Sequence, residues 1–223
     1  MSIVQKLLKI DLTGQVQGAS MVSTDFKTLN GANPKELGYF LAIWEGNQVQ
    51  NLATANHVQE INTTSMDGNA IFEKLELDSR DYIIGLGVNN QSSTSICATL
   101  AVPKSHEKFK LLNNSLSSVT LVHQSTDSLV ASFATPDYNL PASNKNWLAL
   151  FEGPFTANMY KGINVVKTTM ISKNINEGAV AMNNIPGGLI RFQRYTLIYG
   201  MGLNGSGNLD FSSLVAAAEF DIS

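Results

Sequence analysis

Two glutamates occupy the same place in two similar pentapeptides: Glu45 in Ala42-Ile43-Trp44-Glu45-Gly46 and Glu152 in Ala149-Leu150-Phe151-Glu152-Gly153. Paired carboxylates can serve acid/base chemistry or ligate calcium. Each also precedes a glycine at the end of an apolar run, where a carboxylate accepts backbone N–H bonds of a turn. The three histidines, His57, His106 and His123, show no His-x-His or His-x₃-His spacing, so a zinc site is not expected. No Gly-x-Ser-x-Gly elbow occurs, and Gly205-Ser206-Gly207 reads as a flexible turn. Asp67-Gly68-Asn69 and Asp78-Ser79-Arg80-Asp81 could bring oxygens onto adjacent loops. Calcium wants about six to eight such ligands, and no EF-hand or Asp-rich repeat supplies them. The single cysteine, Cys97, excludes an intramolecular disulfide and reads as a small buried hydrophobe. This inventory leads to no catalytic residue, no metal ligand and no cofactor.

Binding chemistry is better represented. Asn158, Tyr160 and Asn164 place an aromatic ring beside amides, the composition of half a sugar site. With Glu45 and Glu152 they are the candidate binding residues. The first half offers no aromatic between Asn47 and Asn62 to match them. The pairs Gly85/Gly87 and Gly200/Gly202 lack the third glycine and the helix of a phosphate loop. Glycines two apart in a strand bare one strip of backbone, over which Trp44 or Trp147 could pack, or which a partner could contact.

These residues sit in segments patterned as strands. Phe40, Ala42 and Trp44 share one strand face and Leu41 and Ile43 the other; Trp147, Ala149 and Phe151 repeat this against Leu148 and Leu150. A strand apolar on both faces belongs inside a packed sheet. Turn signals at Asn30-Gly31, Glu45-Gly46, Asp67-Gly68, Glu177-Gly178, Pro186-Gly187-Gly188 and Asn204-Gly205 bound short strands, the pattern of a β-sandwich. Strands are expected at 7–13, 19–28, 38–45, 56–63, 69–76, 81–88 and 94–103, then at 117–124, 128–135, 146–152, 164–173, 177–183, 192–203 and 211–221. Ala216 to Phe220 has helical propensity, but it matches the Cys97 strand.

That match belongs to an internal repeat. Glu45 and Glu152 are offset by 107 (152 − 45), Gly85 and Gly200 by 115 (200 − 85), and Ser95 and Ser213 by 118 (213 − 95). Repeats at this spacing are whole domains, not solenoid units of ~20–50 residues. The expected architecture is all-β: two tandem immunoglobulin-like antiparallel β-sandwich domains related by internal duplication. The first spans 1–103 and the second 113–223, with a charged linker at 104–112.

Composition narrows the partners. Charged residues make up only 15% and net charge is −3, so Asn, Ser, Thr and Gln must cover much of the surface. Such a surface repels copies of itself weakly and suits a neutral polar ligand. Without a basic cluster, nucleic acid is excluded as a partner. No apolar run approaches the ~20 residues of a membrane span, and the N-terminus lacks the apolar core of a signal peptide. A cytoplasmic protein is expected, with release by a non-classical route if it acts outside. Sequons at Asn62, Asn90, Asn113 and Asn204 then read as chance products of the composition.

The segment Tyr138-Asn139-Leu140-Pro141-Ala142-Ser143-Asn144-Lys145-Asn146-Trp147-Leu148-Ala149-Leu150-Phe151-Glu152-Gly153 resembles the core of immunoglobulin-like domains of the SKICH type. There a Tyr and a Pro precede an Asp-Trp-Ile-Gly-Ile-Phe strand, and a Tyr-x-x-x-Tyr strand follows, to which Tyr195 and Tyr199 are similar. This chain departs from the pattern at Asn146 and Ala149, where the family has Asp and Gly. The resemblance implies a sandwich fold and a recruiting or adaptor role. The combined expectation is a non-catalytic interaction or self-assembly protein, a homo-oligomer with a neutral glycan or protein partner. The alternatives are a lectin-like protein with one carbohydrate site per copy, or an inclusion-forming, toxin-like protein.

Overall fold

The computed structural model describes residues 4–89 and 92–222. Met1-Ser2-Ile3 and the sequon residue Asn90 lie outside the described residues. The described chain is all-β, with sixteen strands, four short 3₁₀ turns and no α-helix. In the first half these are β1 (Gln5–Lys9), β2 (Asp11–Gly18), β3 (Met21–Lys27), β4 (Phe40–Glu45), β5 (His57–Glu60), β6 (Asp67–Phe72), β7 (Tyr82–Gly87) and β8 (Ile96–Val102). In the second they are β9 (Asn113–Leu116), β10 (Ser118–Gln124), β11 (Leu129–Ala134), β12 (Trp147–Glu152), β13 (Val165–Met170), β14 (Glu177–Met182), β15 (Arg194–Gly200) and β16 (Leu214–Asp221). Ala216 to Phe220 thus lies in a strand: the register with its neighbours overrides its helical propensity.

Four antiparallel sheets result, ordered β2-β3-β6 and β5-β4-β7-β8-β9, then β10-β11-β14 and β13-β12-β15-β16-β1. The two orders correspond strand for strand, except that the outermost strand of each five-stranded sheet comes from the other half. The strand expected at 7–13 is divided at Ile10, and β9 was not expected at all. Ile10 is buried and donates its N–H to Val215 O at 3.3 Å; Ser117, buried between β9 and β10, donates to Cys97 O at 2.9 Å. At each of these residues the chain leaves one half's sheet and enters the other's.

The exchange closes both edges. Leu112 N–H donates to Gly14 O at 2.9 Å. At the corresponding place in the second half the Gln5 side chain does this work: Nε2 donates to Leu121 O at 3.2 Å and Oε1 accepts Leu121 N–H at 2.9 Å. Segment 104–112 lies along the first half, with Phe109 N–H on Val16 O and Ser105 N–H on Leu77 O.

Strands β4 and β12 are buried on both faces, as their continuous apolar pattern requires. Leu41 and Ile43, like Leu148 and Leu150, face a core that runs continuously through both halves. Phe40, Ala42 and Trp44 form a separate outer cluster with Ile83 and Ile96, covered by Val49, Leu52, Ala55 and Val58. On the second half Phe211 lies edge-on to both Trp147 and Phe151, with ring centroids 5.1 and 5.9 Å away.

The bare glycine strips serve this packing. Gly87 lies opposite Phe40 and Gly200 opposite Trp147, and a Cβ at either would collide with the facing ring. Strand register therefore matches Gly87, not Gly85, with Gly200, an offset of 113 (200 − 87). The sequence repeat slips by two because an alternating Gly-x-Gly can be laid over either glycine, whereas packing distinguishes them. Gly202 takes no part in the strip: it has a left-handed φ of +73° and open space on its Cβ side.

Candidate functional site

The sequence candidates fall into separate surroundings. Glu45 is exposed at the end of β4 and pairs with Arg80, whose Nε also meets Glu76 at 2.7 Å. Its backbone N–H donates to Asn56 Oδ1 at 2.7 Å. Glu152 is exposed at the matching end of β12, and its N–H donates to Asn164 O at 3.1 Å, Asn164 holding a left-handed φ of 68°. Asn158 is exposed in the 3₁₀ turn Ala157–Lys161. Tyr160 turns inward: its ring lies edge-on to Phe155 at 6.1 Å, and its hydroxyl is buried facing that of Tyr39. Neither hydroxyl makes a well-formed hydrogen bond, and burial raises both phenols above their ordinary value.

The remaining reactive types are dispersed. His57 is on β5, His106 in segment 104–112 and His123 on β10. Among the described residues no three His, Cys, Asp or Glu converge on a possible metal position. Asp67 Oδ1 accepts from Ser65 Oγ in its own loop, and Asp81 Oδ1 accepts from Lys104 N–H, which ties the start of β7 to segment 104–112. Cys97 is buried, its Sγ 3.3 Å from Leu86 O, and desolvation pushes its thiol up.

The most spacious of the described pockets combines an exposed aromatic with polar groups. A groove of about 440 Å³ opens over β7, β8 and β9. Its floor includes Ile83 and the exposed Ala101; Asn113 and Ser115 rise from β9, beside Thr99. From the second half, Asp137 and Tyr138 reach across to form the far wall. Among the described residues no Lys or Arg lines it.

The chain around Tyr138 is tied down by amides. Asn146 Nδ2 donates to Tyr199 Oη at 2.8 Å and to Asn139 Oδ1 at 3.2 Å. Asn139 Nδ2 donates to Thr135 Oγ1 at 2.9 Å, and Asn176 Nδ2 to Pro136 O at 2.7 Å. Residues on both sides of Tyr138 are thereby fixed, and burial raises the Tyr199 phenol to about 12. These bonds tie the segment before β12 to Tyr199 and Asn176, with Asn146 Oδ1 left without a partner.

Strand register identifies the corresponding place on the second half. Ile83 pairs with Ala101 and Ala101 with Asn113; there, Thr196 pairs with Glu219 and Glu219 with Lys6. Glu219 accepts Phe155 N–H at 3.0 Å and lies 3.5 Å from Lys6 Nζ. Side chains thus occupy what is open on the first half.

The sequence alone missed this groove because its aromatic comes from the other half of the chain. Tyr138 was legible only as part of a core motif, and no local signal marks it as a residue that crosses over. No protein-family model matches the chain, and no curated protein is significantly similar to it. No helix among the described residues is long and apolar enough to cross a membrane.

Proposed function

We propose that this chain is a non-catalytic interaction protein: two immunoglobulin-like β-sandwiches, duplicated from one domain and joined into a single platform for binding and self-assembly. The observation that carries this reading is the reciprocal exchange of β1 and β9. Each half completes the other's sheet, so loops from both halves are presented in fixed relation, and preorganisation of that kind lowers the ordering cost of binding. It is the arrangement of a strand-swapped dimer drawn into one chain. Three strands, β2-β3-β6, facing β5-β4-β7-β8 give an immunoglobulin-like order with the fourth strand moved to the other sheet.

Self-assembly is supported by a surface poor in charge, which carries isolated apolar side chains. Phe192 is 88% exposed, Leu111 72% and Phe109 69%. Scattered singly, such side chains are ordinary on a folded surface. The support comes from the low charge, which repels copies of the chain weakly, and these residues are where a contact can be tested. The protein is accordingly a homo-oligomer, made in the cytoplasm, with a neutral glycan or another protein as further partner. Light scattering across a concentration series tests this. The expected mass rises above the 24.1 kDa of one chain, and Phe192→Ser or Phe109→Ser lowers it. A single monomeric species at every concentration, unchanged by either substitution, would remove the assembly reading.

A further inference from the structure

We propose that the groove over β7, β8 and β9 is a saccharide site, with a sugar ring seated against Tyr138 and its hydroxyls met by Asn47, Thr99, Asn113, Ser115 and Asp137. This deepens the binding reading above and rests on it.

A sugar is a ring with apolar C–H faces and a rim of hydroxyls that both donate and accept. Its site needs an apolar or aromatic wall and several convergent amides, hydroxyls or carboxylates. The groove supplies both. Ile83 and Ala101 make an apolar floor, and Tyr138, 38% exposed, offers a ring on a backbone whose neighbours are tied down. Thr99 pairs in register with Ser115 and Ala101 with Asn113, so the polar side chains stand in a row at strand spacing. Among the described residues, none of Asn47, Thr99, Asn113, Ser115, Asp137 and Tyr138 makes a side-chain hydrogen bond. Thr99 is 5% exposed, and its hydroxyl, without a protein partner among the described residues, lies on the groove wall.

Charge selects a neutral ligand. Asp81 and Asp137 line the groove without a cation beside them, which disfavours phosphate, sulfate or carboxylate groups. Asp81 is already engaged by Lys104 N–H, so no carboxylate pair is left free to hold a metal or a diamine. The volume falls within the ~300–1,000 Å³ of small-molecule sites. Among the described residues there is one such site, because Glu219, Phe155 and Lys6 fill the corresponding place on the second half.

Saturation-transfer NMR on the full-length protein tests this with glucose, galactose, mannose, N-acetylglucosamine, maltose, cellobiose and lactose, each at ~10 mM. At least one of these is expected to bind with a Kd of ~1 mM or tighter, at one site by calorimetry. Tyr138→Ala and Ala101→Glu, the latter installing the side chain that the second half carries, should each weaken binding about tenfold or more. Asn113→Ala provides a milder third variant, and Ile71→Ala, exposed on β6 in the opposite sheet, should leave affinity unchanged. The site is overturned if none of the seven sugars gives a signal, or if the signal survives both Tyr138→Ala and Ala101→Glu in folded protein. Failure of the site alone leaves the assembly result by light scattering untouched. Sugar breakdown products in the same spectra would keep the site and overturn the non-catalytic reading.

Discussion

Replacing Trp147 tests the packing that makes the central sheet of the second half double-faced. Its side chain is fully buried, lies over Gly200, meets Phe211 edge-on at 5.1 Å and donates Nε1–H to Gly202 O at 3.0 Å. Trp147→Ala removes the ring and leaves a cavity over a strip of bare backbone that cannot fill it. The expected loss is ~3–5 kcal/mol. For a chain of this size each kcal/mol moves the melting temperature by ~2–4 °C, so a fall of roughly 6–20 °C should appear by calorimetry or near-ultraviolet circular dichroism. Trp147→Phe keeps most of the ring and mainly loses the indole hydrogen bond, worth ~0.5–1.5 kcal/mol. The steric half of the argument is tested by Gly200→Ala, which should cost ~1–3 kcal/mol through overpacking against the indole. In the Trp147→Ala background that added methyl has room, so the double mutant should be more stable than additivity predicts by at least ~1 kcal/mol. A Trp147→Ala melting temperature within about 2 °C of wild type, or additivity within ~0.5 kcal/mol, would refute the account.

Three further outcomes follow from particular contacts. Trypsin should cut first after Lys104, Lys108 or Lys110, which are exposed in the connecting segment. Because β1 and β9 are exchanged, the two fragments should still co-elute on size exclusion and part only in denaturant; separate elution under native conditions would contradict the exchange. Cys97, buried and with its thiol pushed up, should react with a thiol reagent only as fast as the protein unfolds, and rapid labelling of folded protein would show an accessible thiol. Arg194 holds the Asp221 carboxyl below its ordinary 3.8 through two hydrogen bonds of 2.8 and 2.9 Å. The pair therefore contributes stability above that pH and loses it as pH falls through the depressed value. In urea titrations the difference between wild type and Asp221→Asn should be constant near neutrality and close in acid; a gap that persists at the lowest pH would assign it to another cause.

Local pattern was enough to read most of the strands. Apolar residues on both faces of 40–44 and 147–151 announced buried central strands because a strand's period of two leaves no solvated face there. The aromatic-over-glycine packing was legible in kind, though not in register. Cys97 as a buried hydrophobe followed from its apolar neighbours.

The division at Ile10 was not legible, because leaving one sheet for another changes no residue's preference for extended backbone. It is decided by which edge is open nearby: for β1 that is β16, at the far end of the chain, and for β9 it is β8, across the connecting segment. The groove belongs to the same class. Asn47, Thr99, Asn113 and Tyr138 are unremarkable apart and meet only because the second half lays its Tyr138 arm across the sheet of the first. The corresponding place on the second half is filled by Glu219, where the first half has Ala101, together with Lys6 and Phe155, which it engages. Sequence alone thus determined the strands, their buried faces and the poverty of charge, all consequences of short-range pattern and composition. Tertiary structure decided which strands share a sheet and where a cavity stays open, because hydrogen-bond pairing and volume exclusion act between residues that are distant in the chain.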